Sequence, residues 1–587
     1  MSSKVVVLQI PPGIQRDGTK LAAPTYVDGS WVRFQRGLPR KMGGYSGIFL
    51  NASGISRGMA MTSINGFNYV VSGYRSILEQ WITDTSSGIG SGPYPYTLSD
   101  FTDSPNNLWQ FDIAYDSTGS DTNNLVAHPG RNLTDITNTV NTPVLRGVFP
   151  GSVGSLTMTK VGVFTAAGTT ATNTAFTLTA ANVRISAGQS ISGSGIPAGT
   201  TVVSITGLVV TMSAAATSTL PISATFDNNI AVSGGCVVLH PYLFVYGNNG
   251  FIQNCSAGDF SNWVSPDANA ANVATGNILK GLPIRGGSTS PSGLFWAADA
   301  LIRVSFTPSS AGGVNYFWTY DLVSSQTSVL SSNGIIEYDG IFYWAGVDRF
   351  LAYNGAIQEL SNPVNQNYFF DNLNMQQRQK VWVTKVPRYG EIWWFYPKGS
   401  ATECTDAVIY NVREKTWYDA GQAVGARRSA GVFSEIFPKP IWAGTEADSV
   451  VKYTLWQHET GVNEVFLTKV NAVQSFFETN NLGSLGGLVG STSQPGDNLW
   501  TRIERLEPDF IQNGEMTVTV TGPGFSGDVV VNSSAFPFTA STLKIDMREQ
   551  RREMRLRFES NTFNGDYQMG RVLLSLSTGD VRSTGNP

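Results

Sequence analysis

Apolar and polar residues alternate over short runs along most of this chain, and turn-forming residues separate the runs. Glycine, proline, asparagine, serine or threonine interrupts almost every stretch before a long amphipathic helix could form. Short apolar runs bounded by such residues are typical of β-strands. The pattern therefore predicts an all-β protein built from many short strands.

One hairpin unit recurs in four places: an apolar run, a turn, a second apolar run and often a tryptophan. In one copy, Asp339-Gly340 has the composition of a type I′ turn, and Ile341 to Ala345 follows as the returning strand. Repeated hairpins are typical of β-propeller blades, which are four-stranded antiparallel sheets. Because the spacing is irregular, an array of β-sandwiches remains an alternative. The copies are Gly66 to Trp81, Cys236 to Trp263, Gly334 to Asn354 and Gly390 to Trp417.

Two changes along the chain predict further domains. Residues 152–228 contain almost no Trp, Tyr or charge and are rich in Thr, Ala, Ser, Gly and Val, which predicts an inserted small β domain. A flexible linker is the alternative, but it would lack strand candidates such as Val202-Val203 and Val209-Val210. Gly483 to Gly490 resembles a hinge before a C-terminal β domain. The predicted domains are 1–151 (N-terminal segment and first propeller blades), 152–228 (insertion), 229–485 (remaining blades) and 486–587 (C-terminal β domain).

Composition supports this interpretation and limits the function. The chain has 62 Gly, 14 Trp, 21 Tyr and 31 Phe, and only 14% of its residues are charged, which suits tight turns and pleated surfaces. Its net charge of −4 provides no overall positive field for tight, nonspecific DNA binding. No apolar run is long enough to span a bilayer or to serve as a secretory leader, so we expect a protein made in the cytoplasm.

Residues that could carry chemistry are few and scattered. His128, His240 and His458 lie far apart, without a second ligand at zinc spacing. No nucleophile elbow, Walker loop or dinucleotide fingerprint is visible. We therefore expect no catalytic residues, no metal, no cofactor and no enzymatic activity. The three cysteines, Cys236, Cys255 and Cys404, are too few for a disulfide scaffold, and we expect free, buried thiols.

A carbohydrate-binding or glycosidase propeller is the alternative, because two carboxylates are enough for glycoside hydrolysis. Ser256 to Trp263 loosely resembles the Asp-box turn of sialidase-like propellers, in which the Asp and Trp stabilise a hairpin. Trp393-Trp394 could stack on sugars, but adjacent strand residues face opposite ways, so at least one of the two must be in the core. Both features therefore have a structural explanation as well.

One basic cluster lies near the C-terminus. The alternation in Met554 to Phe558 places arginines on one strand face and apolar residues on the other. Glu549, Glu553 and Glu559 interleave with the arginines and cancel much of the long-range field that phosphate capture would need. The cluster is therefore a solvated strand face or a contact with another subunit. Its members are Arg548, Arg551, Arg552, Arg555 and Arg557.

Motifs at both ends of the chain resemble one protein family. The N-terminal motif has a proline-glycine start, a tryptophan-arginine strand and a basic turn with two glycines. The C-terminal motif pairs an arginine-rich strand with Tyr567 to Arg571. Together they resemble the tail nozzle proteins of short-tailed phages (podoviruses), also called tail accessory factors or packaged-DNA stabilisation proteins. Tyr45 and Tyr567 depart from the family, which often has Trp there. The motif residues are Pro12, Gly13, Trp31, Arg33, Arg40, Gly43, Gly44, Tyr45, Gly570 and Arg571.

The resemblance covers most of the chain outside 152–228 and implies a structural virion protein, assembled in the host cytoplasm. The implied fold is a β-propeller in a homohexameric ring below the portal and adaptor rings. Such a ring closes the DNA channel after packaging and conducts DNA during ejection. The implied partners are the adaptor ring, tail fibres, spikes or needle, and double-stranded DNA passing without specific binding, with no small-molecule substrate. A tailspike-like carbohydrate-binding or glycosidase propeller and a cellular propeller scaffold are the alternatives.

Overall fold

The chain divides into two compact units in the computed structural model. Unit 1 comprises Met1–Asn51 and Leu360–Pro587, and unit 2 comprises Ala52–Glu359. We number the strands in chain order through both units. The structure describes residues 4–20, 22–83, 90–97, 107–117, 122–130, 142–150, 154, 156–285, 291–311, 314–434, 436–437, 439–447, 453–482, 500–522, 532–551 and 554–578.

The described part of unit 2 contains five four-stranded antiparallel sheets, in each of which the strands are arranged in their order along the chain. Blade 1 is β6 (Gly58–Ile64), β7 (Phe67–Tyr74), β8 (Ile77–Thr83) and β9 (Gly90–Thr97); blade 2 is β10 (Gln110–Asp116), β11 (Thr122–His128), β13 (Leu145–Val148) and β14 (Thr157–Lys160); blade 3 is β22 (Gly235–Leu239), β23 (Tyr242–Tyr246), β24 (Phe251–Asn254) and β25 (Ala270–Asn272); blade 4 is β26 (Ile278–Pro283), β27 (Ser292–Ala297), β28 (Leu301–Ala311) and β29 (Val314–Ser324); blade 5 is β30 (Ile335–Tyr338), β31 (Ile341–Ala345), β32 (Phe350–Tyr353) and β33 (Ile357–Glu359).

Turn chemistry and alternation explain these sheets. Asp339 and Gly340 have φ angles of 51° and 80°, as a type I′ turn requires, and they join β30 to β31 with Tyr338 opposite Ile341. The tight turn aligns apolar residues of both strands, so that Phe342 and Trp344 reach the core. The predicted hairpins at 66–81, 236–263 and 334–354 are therefore confirmed as parts of blades 1, 3 and 5.

Neighbouring blades pack face to face around shared apolar clusters. Phe244 of blade 3 packs with Phe295 of blade 4, and Trp296 of blade 4 packs with Trp344 of blade 5. Asn333, before blade 5, donates to the backbone oxygen of Arg57, before blade 1, at 3.0 Å. The first strands of blades 1 to 4 contact one another in series, as innermost propeller strands do. The predicted all-β, β-propeller fold is confirmed.

Residues 163–227 form a separate six-stranded sheet with its own apolar core, which includes Phe164, Phe176 and Phe226. Its outermost strands also meet, because Val202 donates its backbone N–H to the oxygen of Gln189 at 2.8 Å. The sheet therefore closes on itself and leaves no long free edge. The strands are β15 (Val163–Thr170), β16 (Ala175–Leu178), β17 (Ser190–Ser192), β18 (Val202–Thr206), β19 (Val209–Met212) and β20 (Pro221–Asp227).

This insertion is shorter than the predicted range of 152–228. β14 lies inside that range but pairs with β13 in blade 2, because its apolar Met158 faces the core between blades 1 and 2. A short two-stranded sheet, β12 (Thr142–Pro143) and β21 (Ala231–Val232), flanks the insertion. The backbone N–H of Asn228 approaches the oxygen of Gly162 at 3.5 Å, so the two ends of the module are adjacent.

Deleting 163–227 and joining Gly162 to Asn228 should leave unit 2 folded, because the deleted sheet has its own core. An ion pair between Arg184 and Asp259 links the deleted sheet to blade 3, whereas the backbone hydrogen bond to Phe260 is donated by Gly162, which the deletion keeps. Asp259 becomes solvated when Arg184 is removed, so we expect the melting temperature to fall by only a few degrees. Differential scanning calorimetry of both proteins measures this. Loss of the whole cooperative transition would contradict it.

The described residues of unit 1 form five sheets, four of which combine strands of the first 52 residues with strands from residue 428 onward. The first is β1 (Lys4–Val7), β51 (Leu573–Thr578), β44 (Thr501–Glu507) and β48 (Ile545–Arg551); the second is β2 (Asp28–Ser30), β43 (Ser475–Glu478), β49 (Arg555–Ser560), β46 (Met516–Gly522) and β47 (Asn532–Phe538); the third is β3 (Val32–Gln35), β4 (Leu38–Lys41), β50 (Asp566–Met569) and β45 (Phe510–Asn513); the fourth is β34 (Trp382–Val386), β35 (Glu391–Tyr396), β36 (Asp406–Asn411) and β37 (Thr416–Asp419); the fifth is β38 (Arg428–Val432), β39 (Ile441–Ala447), β40 (Tyr453–His458), β5 (Tyr45–Ala52), β41 (Asn463–Phe466) and β42 (Lys469–Ala472). The helix α1 (Gln366–Asn372) precedes the fourth sheet, which contains the predicted hairpin at 390–417.

The predicted boundaries at 151 and 485 do not coincide with this division. Strands from 486–587 share sheets with strands of the first 41 residues, so the C-terminal region does not form a sheet system of its own. One apolar cluster contains Val6, Trp31, Phe477 and Leu574, which shows that both ends of the chain complete the same core. Residues 229–359 belong to unit 2 and residues 360–482 to unit 1. The proposed hinge, 483–490, lies outside the described residues.

Candidate functional site

The two terminal motifs meet in unit 1. β4 pairs with β50 at Arg40 and Gln568, and the Lys41 ammonium donates to the backbone oxygen of Gly565 at 2.7 Å. The hydroxyl of Ser475 donates to the backbone oxygen of Trp31 at 2.9 Å and lies 2.8 Å from the hydroxyl of Tyr567. Residues that are more than 500 positions apart in sequence therefore belong to one packed assembly, which we call the motif core.

Arg33 is the charged centre of the motif core, with a side chain only 1% exposed. Its guanidinium donates to both carboxylate oxygens of Glu391, at 2.8 and 3.1 Å, and to both of Glu459, at 2.9 and 2.6 Å. The ring of Tyr389 covers it at 3.6 Å. Burial opposes the charged form, but attraction to the two glutamates outweighs burial and raises the pKa of Arg33 above its usual value. Arg33 is thus a permanently charged structural residue.

Neighbouring aromatic residues complete the motif core. Glu391 accepts hydrogen bonds from the Tyr418 hydroxyl at 2.7 Å and from Nε1 of Trp393 at 2.9 Å. Nε1 of Trp31 donates to the backbone oxygen of Gly43 at 3.0 Å, and its ring packs edge-on against Tyr45. The Tyr45 hydroxyl donates to Glu464 at 3.0 Å. Each buried polar group used here has a partner, which fixes the positions of the rings.

The motif glycines lie where chain segments approach closely. A Cβ on Gly44 would overlap the backbone oxygen of Asn463, and one on Gly43 would lie 2.8 Å from the Cα of Glu459. Gly13 has a φ of 122°, a conformation that other residues rarely adopt. Gly570 donates its backbone N–H to the backbone oxygen of Asp509 at 2.7 Å, and Arg571 donates its own to the Asp509 carboxylate at 2.6 Å. Pro12 is half-buried beside Gly13.

The arginine cluster does not form one row, because its members lie on strands of two different sheets. Arg548 and Arg551 are on β48 of the first sheet, and Arg555 and Arg557 are on β49 of the second. Arg548 is exposed, and Arg552 lies outside the described residues. On β49 the predicted alternation holds, since Leu556 and Phe558 are buried and the arginines face outward.

Carboxylates of the same chain neutralise the three other described arginines. Arg551 pairs with Glu549 at 2.7 Å, Arg555 with Glu478 at 2.9 Å, and Arg557 with Glu559 at 2.7 Å. The Arg557 guanidinium also lies 3.5 Å from the centre of the Phe476 ring. We call the surface of Arg555, Arg557, Glu559, Glu478 and Phe476 the arginine face. Its arginines are paired with glutamates and held in place, so this surface produces little net electrostatic field.

A polar cleft of about 730 Å³ adjoins the arginine face within unit 1. Arg557 and Phe476 form part of its lining, and Arg16 lies on its wall, held by Asp28 and by two hydrogen bonds to Asp419 at 2.7 and 2.9 Å. The remaining lining includes the neutral side chains Gln422, Asn471 and Gln474. Paired charges and amides of this kind can form directional hydrogen bonds with a protein surface.

The histidines and cysteines have structural surroundings. His128 is buried, and hydrogen bonds with the backbone of Gly130, Thr142 and Val232 hold its ring. Burial lowers the pKa of His128 to about 4, although the backbone hydrogen bonds raise it. The predicted free, buried thiols are observed at Cys236, Cys255 and Cys404. Among the described residues, no three His, Cys, Asp or Glu side chains are grouped to hold a metal. No described helix is long and apolar enough to cross a membrane.

The Asp-box-like turn, 256–263, has a structural role at this position. Asp259 accepts hydrogen bonds from the backbone N–H and hydroxyl of Ser261, at 3.0 and 2.6 Å, and pairs with Arg184 of the insertion. Nε1 of Trp263 donates to the backbone oxygen of Phe260 at 2.8 Å. Trp393 and Trp394 are both buried, so neither can stack on a sugar at the surface.

Sequence reasoning missed the partners that hold the motif core together. Glu391 and Glu459 neutralise Arg33, and Arg16 bridges Asp28 and Asp419. One signal was available, because Glu391 directly precedes five apolar residues and a charge in such a run needs a buried partner. The identity of that partner was not readable, since it lies 358 residues away.

Comparison with known proteins gave weak structural likenesses. No family model and no curated protein matches the chain. Two solved structures each align with 73% of it. BamB from Moraxella catarrhalis has 10% identity and a TM-score of 0.28, with 94% of its chain covered. A mutant of puromycin hydrolase complexed with PGG has 8% identity and a TM-score of 0.33, and this chain spans only 59% of its length. The propeller assignment therefore rests on the strand topology of unit 2.

Proposed function

We propose that this chain is a structural subunit of the tail of a short-tailed phage. In this proposal it forms a homohexameric ring, the tail nozzle, below the portal and adaptor rings. The ring closes the DNA channel after packaging and conducts DNA during ejection, in contact with the adaptor and with tail fibres, spikes or needle. The protein acts in the virion without catalysis.

The observation that carries the proposal is the motif core. The two motifs come from distant parts of the chain and meet in one packed assembly, in which β4 pairs with β50 and Ser475 links Trp31 to Tyr567. Their contacts with one another give the two motifs a common structural purpose, as expected of a family signature that maintains a fold. The resemblance is thus supported by a physical reason for these residues to occur together.

The arginine face supports the choice of a protein partner over DNA. Arg555 and Arg557 are held by Glu478 and Glu559, so capturing a phosphate would require breaking an existing ion pair. A neighbouring subunit can instead bind the paired charges as a polar surface with defined geometry. Weak attraction to DNA phosphates also suits a channel that must release DNA quickly.

The protein should assemble into hexameric rings, at least with its adaptor, and Arg555→Ala with Arg557→Ala should weaken that assembly. Each charged pair lost from a desolvated interface costs about 1–3 kcal/mol, so the assembly midpoint should shift by tenfold or more. Mass photometry over a concentration series, with negative-stain images, measures both results. DNA affinity should remain weak and nearly unchanged.

Arg505→Ala is the matched control, because Arg505 forms an exposed ion pair with Asp546 in a neighbouring sheet of the same unit. It should leave assembly unchanged. A wild-type protein that stays monomeric and never joins a particle would refute the ring. A double variant that assembles normally but releases packaged DNA early would assign the arginines to the genome.

A further inference from the structure

A cavity of about 380 Å³ lies within unit 2, between the six-stranded insertion and blade 3. One wall consists of residues 186–189, before β17, and of residues 228–231, after β20. The other wall consists of β24 and of Trp263 at the end of the Asp-box-like turn. The volume is within the range of small-ligand sites, near its lower end, and such sites often lie where two separately packed parts of a protein meet.

Side-chain amides hold the insertion side of this cavity in shape. The Gln189 amide nitrogen donates to the side-chain oxygen of Asn228, and the Gln189 oxygen accepts the backbone N–H of Ser186 at 3.0 Å. Nδ2 of Asn229 donates to the hydroxyl of Ser190 at 2.7 Å. Because these hydrogen bonds already exist, a ligand does not have to order this wall when it binds.

Three polar side chains of the lining keep groups that no other described residue uses. These groups are the Gln253 amide, the Ser186 hydroxyl and the side-chain oxygen of Asn229. An amide and a hydroxyl can each both donate and accept a hydrogen bond. Sugar hydroxyls also donate and accept, so these lining groups are matched to a ligand that carries several hydroxyls.

Aromatic side chains supply the apolar part of the lining. Phe251 and Gln253 are two residues apart on β24, so their side chains lie on the same face of that strand. Phe251 is half-buried. Trp263 is buried, and its Nε1 already donates to the backbone oxygen of Phe260 at 2.8 Å, so it adds apolar surface without a free donor. A ring beside a free amide matches a sugar, which has an apolar C–H face and polar hydroxyl edges.

The lining carries no charge. None of the described residues that line the cavity has an ionisable side chain. A phosphate or a carboxylate bound here would lose hydration without gaining a compensating charge. The cavity therefore favours a neutral ligand over an ionised one.

We propose that this cavity binds a neutral saccharide, with Phe251 against the face of a sugar ring and the Gln253 amide bonded to its hydroxyls. Ser186 and Asn229 bind further hydroxyls from the insertion side. The site is separate from the proposed ring function and uses no residue of the motif core or the arginine face. Because both walls contribute, saccharide binding depends on the insertion as well as on blade 3.

Saturation-transfer NMR titrations of the full-length protein with glucose, galactose and mannose test the proposal. We expect saturable binding of at least one of the three sugars, and weaker binding of the matching uronate, because its carboxylate meets no compensating charge. Gln253→Ala should weaken binding about threefold to tenfold, because it removes the hydrogen bonds of the amide. Ala187→Trp should weaken binding about tenfold or more, because Ala187 is an exposed lining residue and a large ring there would occupy part of the cavity.

Gln358→Ala and Ala215→Trp are the matched controls. Gln358 is exposed on β33 of the same unit, Ala215 is exposed within the insertion, and neither lines the cavity. Both controls should bind the sugar as the wild type does, and circular dichroism would verify that all four variants fold. No saturable binding of any of the three sugars, tighter binding of the uronate, or equal losses in the variants and their controls would each overturn the proposal. Unchanged binding in both Gln253→Ala and Ala187→Trp would overturn it as well.

Discussion

Replacing Arg33 with Met should destabilise unit 1 by about 3–5 kcal/mol, because the change leaves Glu391 and Glu459 without their cation in the protein interior. The Arg33 side chain is 1% exposed and that of Glu391 is fully buried, so water cannot replace the lost contacts. Arg33→Lys should cost less, since it keeps the charge but loses the planar fork that reaches both carboxylates. Urea unfolding followed by tryptophan fluorescence reports this directly, because Trp31 and Trp393 pack beside the network.

Arg505→Met is the control, because it removes an ion pair whose side chains are 42% and 51% exposed. Exposed pairs contribute less than about 1 kcal/mol. Combining Arg33→Met with Glu391→Gln and Glu459→Gln should recover part of the loss, since amides remove the unpaired charges. Equal losses for Arg33→Met and Arg505→Met would show that the buried network does not stabilise the fold.

Gly44→Ala should cost at least about 2–3 kcal/mol, because the new methyl group overpacks a backbone contact. A Cβ there would overlap the backbone oxygen of Asn463 and lie 2.6 Å from its nitrogen. The neighbouring segments are also fixed, since Gly44 donates to Gly461 and accepts from Thr460, both at 2.9 Å. Because these contacts set the parallel pairing of β5 with β41, chemical denaturation of unit 1 should shift to lower urea.

Gly154→Ala, in unit 2, is the control, since among the described residues the nearest heavy atom to a Cβ at that position is 4.0 Å away. It should change stability by less than about 0.5 kcal/mol. If both alanine variants lost similar stability, close approach at Gly44 would not be the reason for the glycine.

Local features of the fold were readable from the sequence because neighbouring residues determine them. The Asp339-Gly340 pair predicts its turn from the positive φ angles that these residues tolerate. The alternation in Met554 to Phe558 predicts which side chains of β49 face the core. Both inferences need only a few adjacent residues and the period of a strand.

Strand pairings and ion pairs between residues that are distant in sequence could not be predicted in the same way. Composition marks the Thr-rich insertion, but it does not reveal that β14 pairs within blade 2. Arg33 pairs with Glu391 and Glu459, which lie 358 and 426 residues away in sequence. The sequence alone does not distinguish these two residues from the other Asp and Glu residues as partners of Arg33. The arginine cluster was contiguous in sequence, yet a change of sheet between β48 and β49 divides it. Only the topology resolves such cases.

The pairing of β1 with β51 has a consequence for biosynthesis. All strands of unit 2 have been made once Glu359 leaves the ribosome, so its five blades can fold while translation continues. The first 51 residues of unit 1 must wait, because their partners in these sheets lie between 453 and 578. The N-terminal segment of a nascent chain therefore lacks its sheet partners through most of its synthesis. A premature stop codon after residue 359 would release a chain with the five blades of unit 2 and with N-terminal strands that have no partner strands.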